Sequence, residues 1–224
     1  MHNICPVTLY HGTSSFFLDS ILENGLGGVN IIKEWGVLDL VNEMYPYVAE
    51  RLSSHKSFGS FENMVKQQSS PYGNYQHGDC IYATPSLSTA LRYTVKKKCG
   101  SELLHYAFLF YELERFRDID CRKWEKKYLK IFNYKNFCGS SLIISFAGIN
   151  YSDLLTEKEG KTVPLETMQF INLFKDCQED ALNGIVFRLM KVLKKESFKV
   201  FMPILTREFD ETTPNAKLIE LHLD

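Results

Sequence analysis

The sequence is short of charge imbalance: 26 Lys and Arg stand against 27 Asp and Glu, a formal net charge of −1. A chain that lives on a phosphate backbone usually carries a basic excess, so general nucleic-acid binding is not expected. There is no C-x-x-C pair. The six cysteines, at 5, 80, 99, 121, 138 and 177, are scattered, and none stands with a His at zinc-ligand spacing. They read as reduced thiols that mostly fill the core, and no metal site is expected. No apolar run approaches the ~18 residues that a membrane-spanning helix needs. The opening Met1-His2-Asn3-Ile4-Cys5-Pro6 lacks a basic stretch leading into an apolar one. Membrane spanning and Sec-type export are therefore not expected; a cytoplasmic protein, or one delivered by a specialised secretion system, is. Internal repeats and low-complexity tracts are also missing. Gly25-Leu26-Gly27-Gly28 lacks the G-x-G-x-x-G form and follows a helical pattern where a dinucleotide fold needs a strand. A Rossmann reading fails on that ground.

What is present is a chain of 224 residues, long enough to bury a core without staples, and read as one domain over 1–224. Val7-Thr8-Leu9-Tyr10 is a β-rich run expected to stop at His11-Gly12-Thr13-Ser14, whose hydroxyls and glycine offer caps to a helix. Phe17, Leu18, Ile21 and Leu22 then fall on one helical face before Asn24-Gly25. A stripe through Val37, Leu40, Val41, Met44, Val48 and Leu52 predicts a helical insertion over about residues 29 to 70. Gln67 to Gly78 has the best turn chemistry in the chain and is suited to serve as a lid. Cys80 to Thr84 reads as a strand broken at Pro85, with Ser86-Leu87-Ser88-Thr89 capping a helix that runs through Tyr93 to Lys98. Leu103–Leu113 and Ser141–Ile149, apolar and aromatic, are expected to be buried strands. Arg122 to Lys135 reads as a basic surface helix or loop, and a helix is expected from Leu165 to Cys177. Ile185 to Leu193 fits either state, and Lys199 to Leu205 and Lys217 to Leu223 read as closing strands.

Taken alone, His11 between a strand and a helix is more often a residue that satisfies its own turn, and Tyr82 or Tyr93 is more often core. Together they suggest more. A His followed by Gly and Thr puts an imidazole and an unobstructed backbone in one place, fit to bond ribose and amide groups. Tyr82 and Tyr93, eleven residues apart across a strand and the next helix, are spaced to hold a flat ring.

The run LYHGTSSFFLDSILENGL, Leu9 to Leu26, resembles the first motif of poly- and mono-ADP-ribosyltransferases of the His-Tyr-Glu clade, in which an aromatic-His-Gly-Ser/Thr strand end precedes a helix closing in I-L-x-x-G-L. Gly78 to Tyr93 resembles the second, a G-x-G-I-Y-F-A strand followed by a serine-led helix that ends in a tyrosine. The Tyr82-to-Tyr93 spacing fits that family without gaps. The resemblance implies an α+β fold with a split, mostly antiparallel sheet, and NAD⁺ as co-substrate. It implies that His11 bonds the adenosine-side ribose, Gly12 the nicotinamide carboxamide, and Thr13 an NAD⁺ ribose. Tyr82 and Tyr93 would flank the nicotinamide, with Ser88 at the cofactor-binding helix start.

The third motif should be an acid. Gln178-Glu179-Asp180 resembles the acidic loop of arginine-modifying members, with Asp180 or Glu179 as the acid and a protein arginine as acceptor. Its rival is Glu196, directly before Ser197-Phe198-Lys199-Val200-Phe201, which resembles the polymerase-like arrangement. A solvated carboxylate at a turn is the ordinary fate of each. The implied activity is mono-ADP-ribosylation of a protein, in the manner of a bacterial effector or toxin acting on a host enzyme. An NAD⁺-dependent RNA 2′-phosphotransferase would need more basic residues than Arg92 about the pocket. A relative that binds NAD⁺ without turning it over is the other alternative.

Overall fold

A computed structural model of the chain describes residues 3–70, 73–74, 80–96, 99–117, 120–135, 139–177, 181–205 and 216–223. In chain order its elements are β1 (Leu9–Ser14), α1 (Leu18–Asn24), α2 (Ile31–Glu34), α3 (Val37–Leu52), α4 (Phe58–Val65), β2 (Ser69–Ser70) and β3 (Gly73–Asn74). They continue with β4 (Ile81–Ala83), α5 (Leu87–Lys96), α6 (Glu102–Arg115), α7 (Arg122–Lys127), α8 (Leu129–Lys135), β5 (Ser141–Phe146) and β6 (Leu154–Thr156). Last come α9 (Leu165–Leu173), β7 (Phe187–Leu189), β8 (Phe198–Leu205) and β9 (Ala216–Leu221). The fold is α+β with antiparallel sheets. Among the described residues no helix is long and apolar enough to cross a membrane.

The chain divides into two compact units. The first, Met1–Val29 with Asp79–Gly100 and Gly139–Asp224, holds a four-stranded sheet in the order β1-β5-β8-β9 and a three-stranded sheet in the order β4-β7-β6. Every pairing is antiparallel. One bridge joins the two sheets, where Tyr10 and Thr84 exchange both backbone hydrogen bonds. Helix α5 lies on the four-stranded sheet, with Ala90 and Leu91 packed on Ile143 and with Tyr10, Leu87, Phe201 and Leu218 around them.

The second unit, Asn30–Gly78 with Ser101–Cys138, is helical apart from the two-residue strands β2 and β3. All six residues of the sequence stripe, Val37 to Leu52, are buried on α3. Phe61 from α4 meets Phe110 from α6 with ring centroids 4.6 Å apart, and Tyr111 meets Phe132 of α8 at 4.7 Å. Each such large apolar side chain contributes about 1.5–3 kcal/mol by leaving water. The insertion expected at 29 to 70 is thus joined by a second segment, Ser101–Cys138. Of the expected lid, Ser69–Ser70 and Gly73–Asn74 pair as a short hairpin, while 71–72 and 75–78 lie outside the described residues.

Two expectations need correction. Leu103–Leu113 is not a sheet strand but most of helix α6. Its buried positions, Leu103, Leu104, Ala107, Phe108, Phe110, Tyr111 and Glu114, repeat at three and four residues, and Ser101 caps its start by accepting from Leu104 N. An apolar run buried on a wide face hides that period. Secondly, the first strand does not stop at His11; it runs on through Ser14, because β5 continues to offer partners as far as Ser141. Arg122 to Lys135 also proves less superficial than its basic residues suggest: α7 and α8 bury Trp124, Ile131, Phe132 and Tyr134. Within Ile185 to Leu193, Phe187–Leu189 forms β7, drawn into extended form by β4 on one side and β6 on the other.

Candidate active site

The break between the two sheets falls at the sequence motifs. Antiparallel pairing that sets Tyr10 against Thr84 would, one step further, set Gly12 against Tyr82. It does not. The Tyr82 carbonyl instead accepts from the imidazole Nδ1 of His11 at 2.8 Å, so a side chain takes the place of the next ladder rung. A carbonyl can only accept, so Nδ1 carries the proton, and Nε2 of the neutral ring is left as an acceptor.

Strand geometry fixes what this does to Gly12. Tyr10 turns its N–H and C=O to Thr84, away from β5, and residues two apart on a strand turn the same way. Gly12 therefore presents its own N–H and C=O toward the side that β4 has left. A side chain here is excluded by α5: a Cβ on Gly12 would stand 2.4 Å from the carbonyl oxygen of Ala90. The next residue, Thr13, is buried, and its carbonyl accepts from the Thr94 hydroxyl, which fixes α5 to β1. His11 is partly buried, and desolvation pulls its imidazole below the usual histidine range, only partly offset by the bond to Tyr82.

Helix α5 begins on a serine cap. Ser86 Oγ accepts from Thr89 N at 3.2 Å and lies 2.9 Å from Ser88 Oγ, while Ser86 N donates to Thr84 Oγ1. Ala90 follows against Gly12, and Tyr93, 44% exposed, stands one turn beyond Ala90. Tyr82, on β4, pairs with Arg188 of β7, whose guanidinium donates to the carbonyls of Glu157 and Lys158.

No protein-family model, curated protein or solved structure matches this chain.

His11, Gly12 and Tyr82 thus meet at one notch where β1 and β4 part, with Ala90 of α5 against Gly12, Ser88 and Tyr93 on that same helix, and Thr13 buried beside it. Gln178, Glu179 and Asp180 lie outside the described residues. Glu196 is exposed, in the turn before β8, and that turn packs toward α1. Among the described residues no group of three or more His, Cys, Asp or Glu is arranged to hold a metal.

Sequence reasoning passed over a polar group at the same end of α5. Asn183 Oδ1 accepts from Thr89 Oγ1 at 2.7 Å and from an Arg92 guanidinium nitrogen at 2.8 Å, and Gly184 N donates to Thr89 Oγ1 at 3.2 Å. The signal was an Asn-Gly pair directly ahead of the apolar run Ile185-Val186-Phe187, a turn that positions a side chain as well as ending a helix.

Proposed function

We propose that this chain is a mono-ADP-ribosyltransferase that seats the nicotinamide end of NAD⁺ in the notch beside Gly12 and transfers ADP-ribose to a protein. The observation that carries the reading is the interrupted ladder, in which His11 rather than Gly12 satisfies the Tyr82 carbonyl. A primary carboxamide offers one acceptor and two donors, the complement of the N–H and C=O that Gly12 presents. The Nε2 lone pair of His11 is suited to accept from a ribose hydroxyl, and Tyr82 and Tyr93 supply aromatic faces for the ring.

The reaction needs little covalent help from the protein. The bond from nicotinamide nitrogen to the ribose C1′ breaks with its electron pair going to nicotinamide. The C1′ cation so formed is taken by an acceptor atom that loses a proton. Holding the ring and ribose still, and placing one carboxylate near the cation, lowers that barrier. Asp180 or Glu179 is the proposed carboxylate, and the Gln178-x-Asp180 spacing favours arginine as acceptor. A chain rich in Lys, Phe and Tyr fits an effector that acts inside another cell.

The test is incubation of the protein with NAD⁺, with and without a cell lysate, following nicotinamide release and the label carried by the adenosine half. The reading expects release that depends on His11 and Asp180 or Glu179, with label on a protein band. Binding of NAD⁺ without release would make the chain a binding relative; failure to bind NAD⁺ would end the proposal.

A further inference from the structure

The group formed by Thr89, Arg92 and Asn183 has one output. The Thr89 hydroxyl is fully engaged, donating to Asn183 Oδ1 and accepting from Gly184 N and Arg92. Two donors converge on Asn183 Oδ1, which fixes the orientation of the carboxamide. Its Nδ2 therefore faces the other way, on an exposed residue, with two N–H donors.

Arg92 adds charge to this output. It is partly buried, folds back one helical turn to reach Thr89, and among the described residues is bound by neutral oxygens only, with its Nε buried and without a hydrogen-bond partner there. Among the described residues no carboxylate lies within ion-pair distance of it. A partly desolvated guanidinium that meets only neutral oxygens among the described residues is costly in a fold that gains nothing from it. The cluster stands beside Ala90, whose backbone touches Gly12.

From this arrangement we infer that Asn183, oriented by Thr89 and Arg92, is a ligand-binding residue that donates to an acceptor oxygen of the ribose-phosphate unit of NAD⁺. The inference rests on the NAD⁺ reading of the Gly12 notch and extends it to a third contact, made by a neutral donor in a cationic field. A ribose hydroxyl and a phosphate oxygen share the chemistry that this pair recognises.

Asn183→Asp separates a ligand role from a structural one. The carboxylate keeps the acceptor for Thr89 and Arg92, and gives Arg92 a counter-charge, so the internal bonds persist. It deletes both outward donors and sets a negative charge against the Arg92 guanidinium. Affinities of the full-length protein for nicotinamide, nicotinamide riboside, nicotinamide mononucleotide and NAD⁺ are to be measured by calorimetry, with the melting temperature alongside. The expected result is unchanged nicotinamide binding, an unchanged or raised melting temperature, and about tenfold or greater weakening for ligands that carry the recognised oxygen. Loss that begins at the riboside assigns a ribose hydroxyl, and loss that begins at the mononucleotide assigns the phosphate. Arg92→Gln should show the same selective loss, and it decides the question should Asn183→Asp fail to fold. Wild-type affinity for NAD⁺ in both variants, or equal loss for nicotinamide alone, overturns the inference while leaving the notch reading intact. A wild-type protein that binds none of the four ligands removes that reading, and this one with it.

Discussion

Gly12 sets its bare α-carbon against the backbone of Ala90 so closely that a methyl group there would stand 2.4 Å from the Ala90 carbonyl oxygen and 3.3 Å from Thr94 Cβ. Neither the oxygen nor the helix that holds it can move aside cheaply. Gly12→Ala is expected to destabilise the protein by about 1–3 kcal/mol through overpacking and to push α5 away from β1. Urea unfolding should show the stability loss and calorimetry a loss of NAD⁺ binding; a variant with wild-type stability would mean that the contact relaxes freely.

The interrupted rung between β1 and β4 makes the state of His11 a matter of pH. Burial holds its folded-state pKa below the ordinary value, so the ring stays neutral, with Nε2 able to accept, through the neutral range. The stability this group contributes is whole above its unfolded pKa and is lost as pH falls toward the lowered folded one. NAD⁺ affinity should therefore be flat near neutrality and fall on the acid side. In His11→Ala the affinity should be low throughout, with no acid limb. A wild-type profile that rises toward acid pH would contradict the neutral-ring assignment.

Glu114 on α6 has the opposite sign. It is wholly buried, its carboxylate oxygens lack hydrogen-bond partners among the described residues, and Arg51 approaches only to 3.6 Å. Desolvation raises its pKa, against the pull of Arg51 and Arg117 and with the push of Glu50. Stability from this group is whole below its ordinary pKa and is lost as pH rises through the raised value. Glu114→Gln should remove that pH dependence and stabilise the helical unit by about 1 kcal/mol at neutral pH. Denaturant midpoints compared at pH 5 and pH 8 test it, and equal losses in wild type and variant would refute it.

Where one physical signal dominated, the fold was legible in the sequence. The α3 stripe, the Asn24-Gly25 stop and the Ser86 cap each follow from side-chain spacing or a local hydrogen bond, and all three stand where expected. Helix α6 was not legible, because Leu103 to Leu113 is apolar on both of its faces and periodicity then carries little information. The meeting of His11 with Tyr82 links positions 71 residues apart, and only the sheets decide that. The two motifs could be named from local sequence; that a side chain would replace a ladder rung between them could not. Asn183 escaped notice for the same reason, since its worth depends on Thr89 and Arg92, more than ninety residues earlier.

The helical unit is built from Asn30–Gly78 and Ser101–Cys138, two stretches that bracket the one carrying Tyr82 and α5. Packing of α3 and α4 against α6 ties the two ends of that bracketed stretch together. Once the helices have associated, Asp79–Gly100 is a closed loop, and much of the chain entropy it would surrender on docking against β1 has already been spent. Helix association should thus precede assembly of the notch, and loosening the α3–α6 contact should slow that assembly with no change to any residue that lines it.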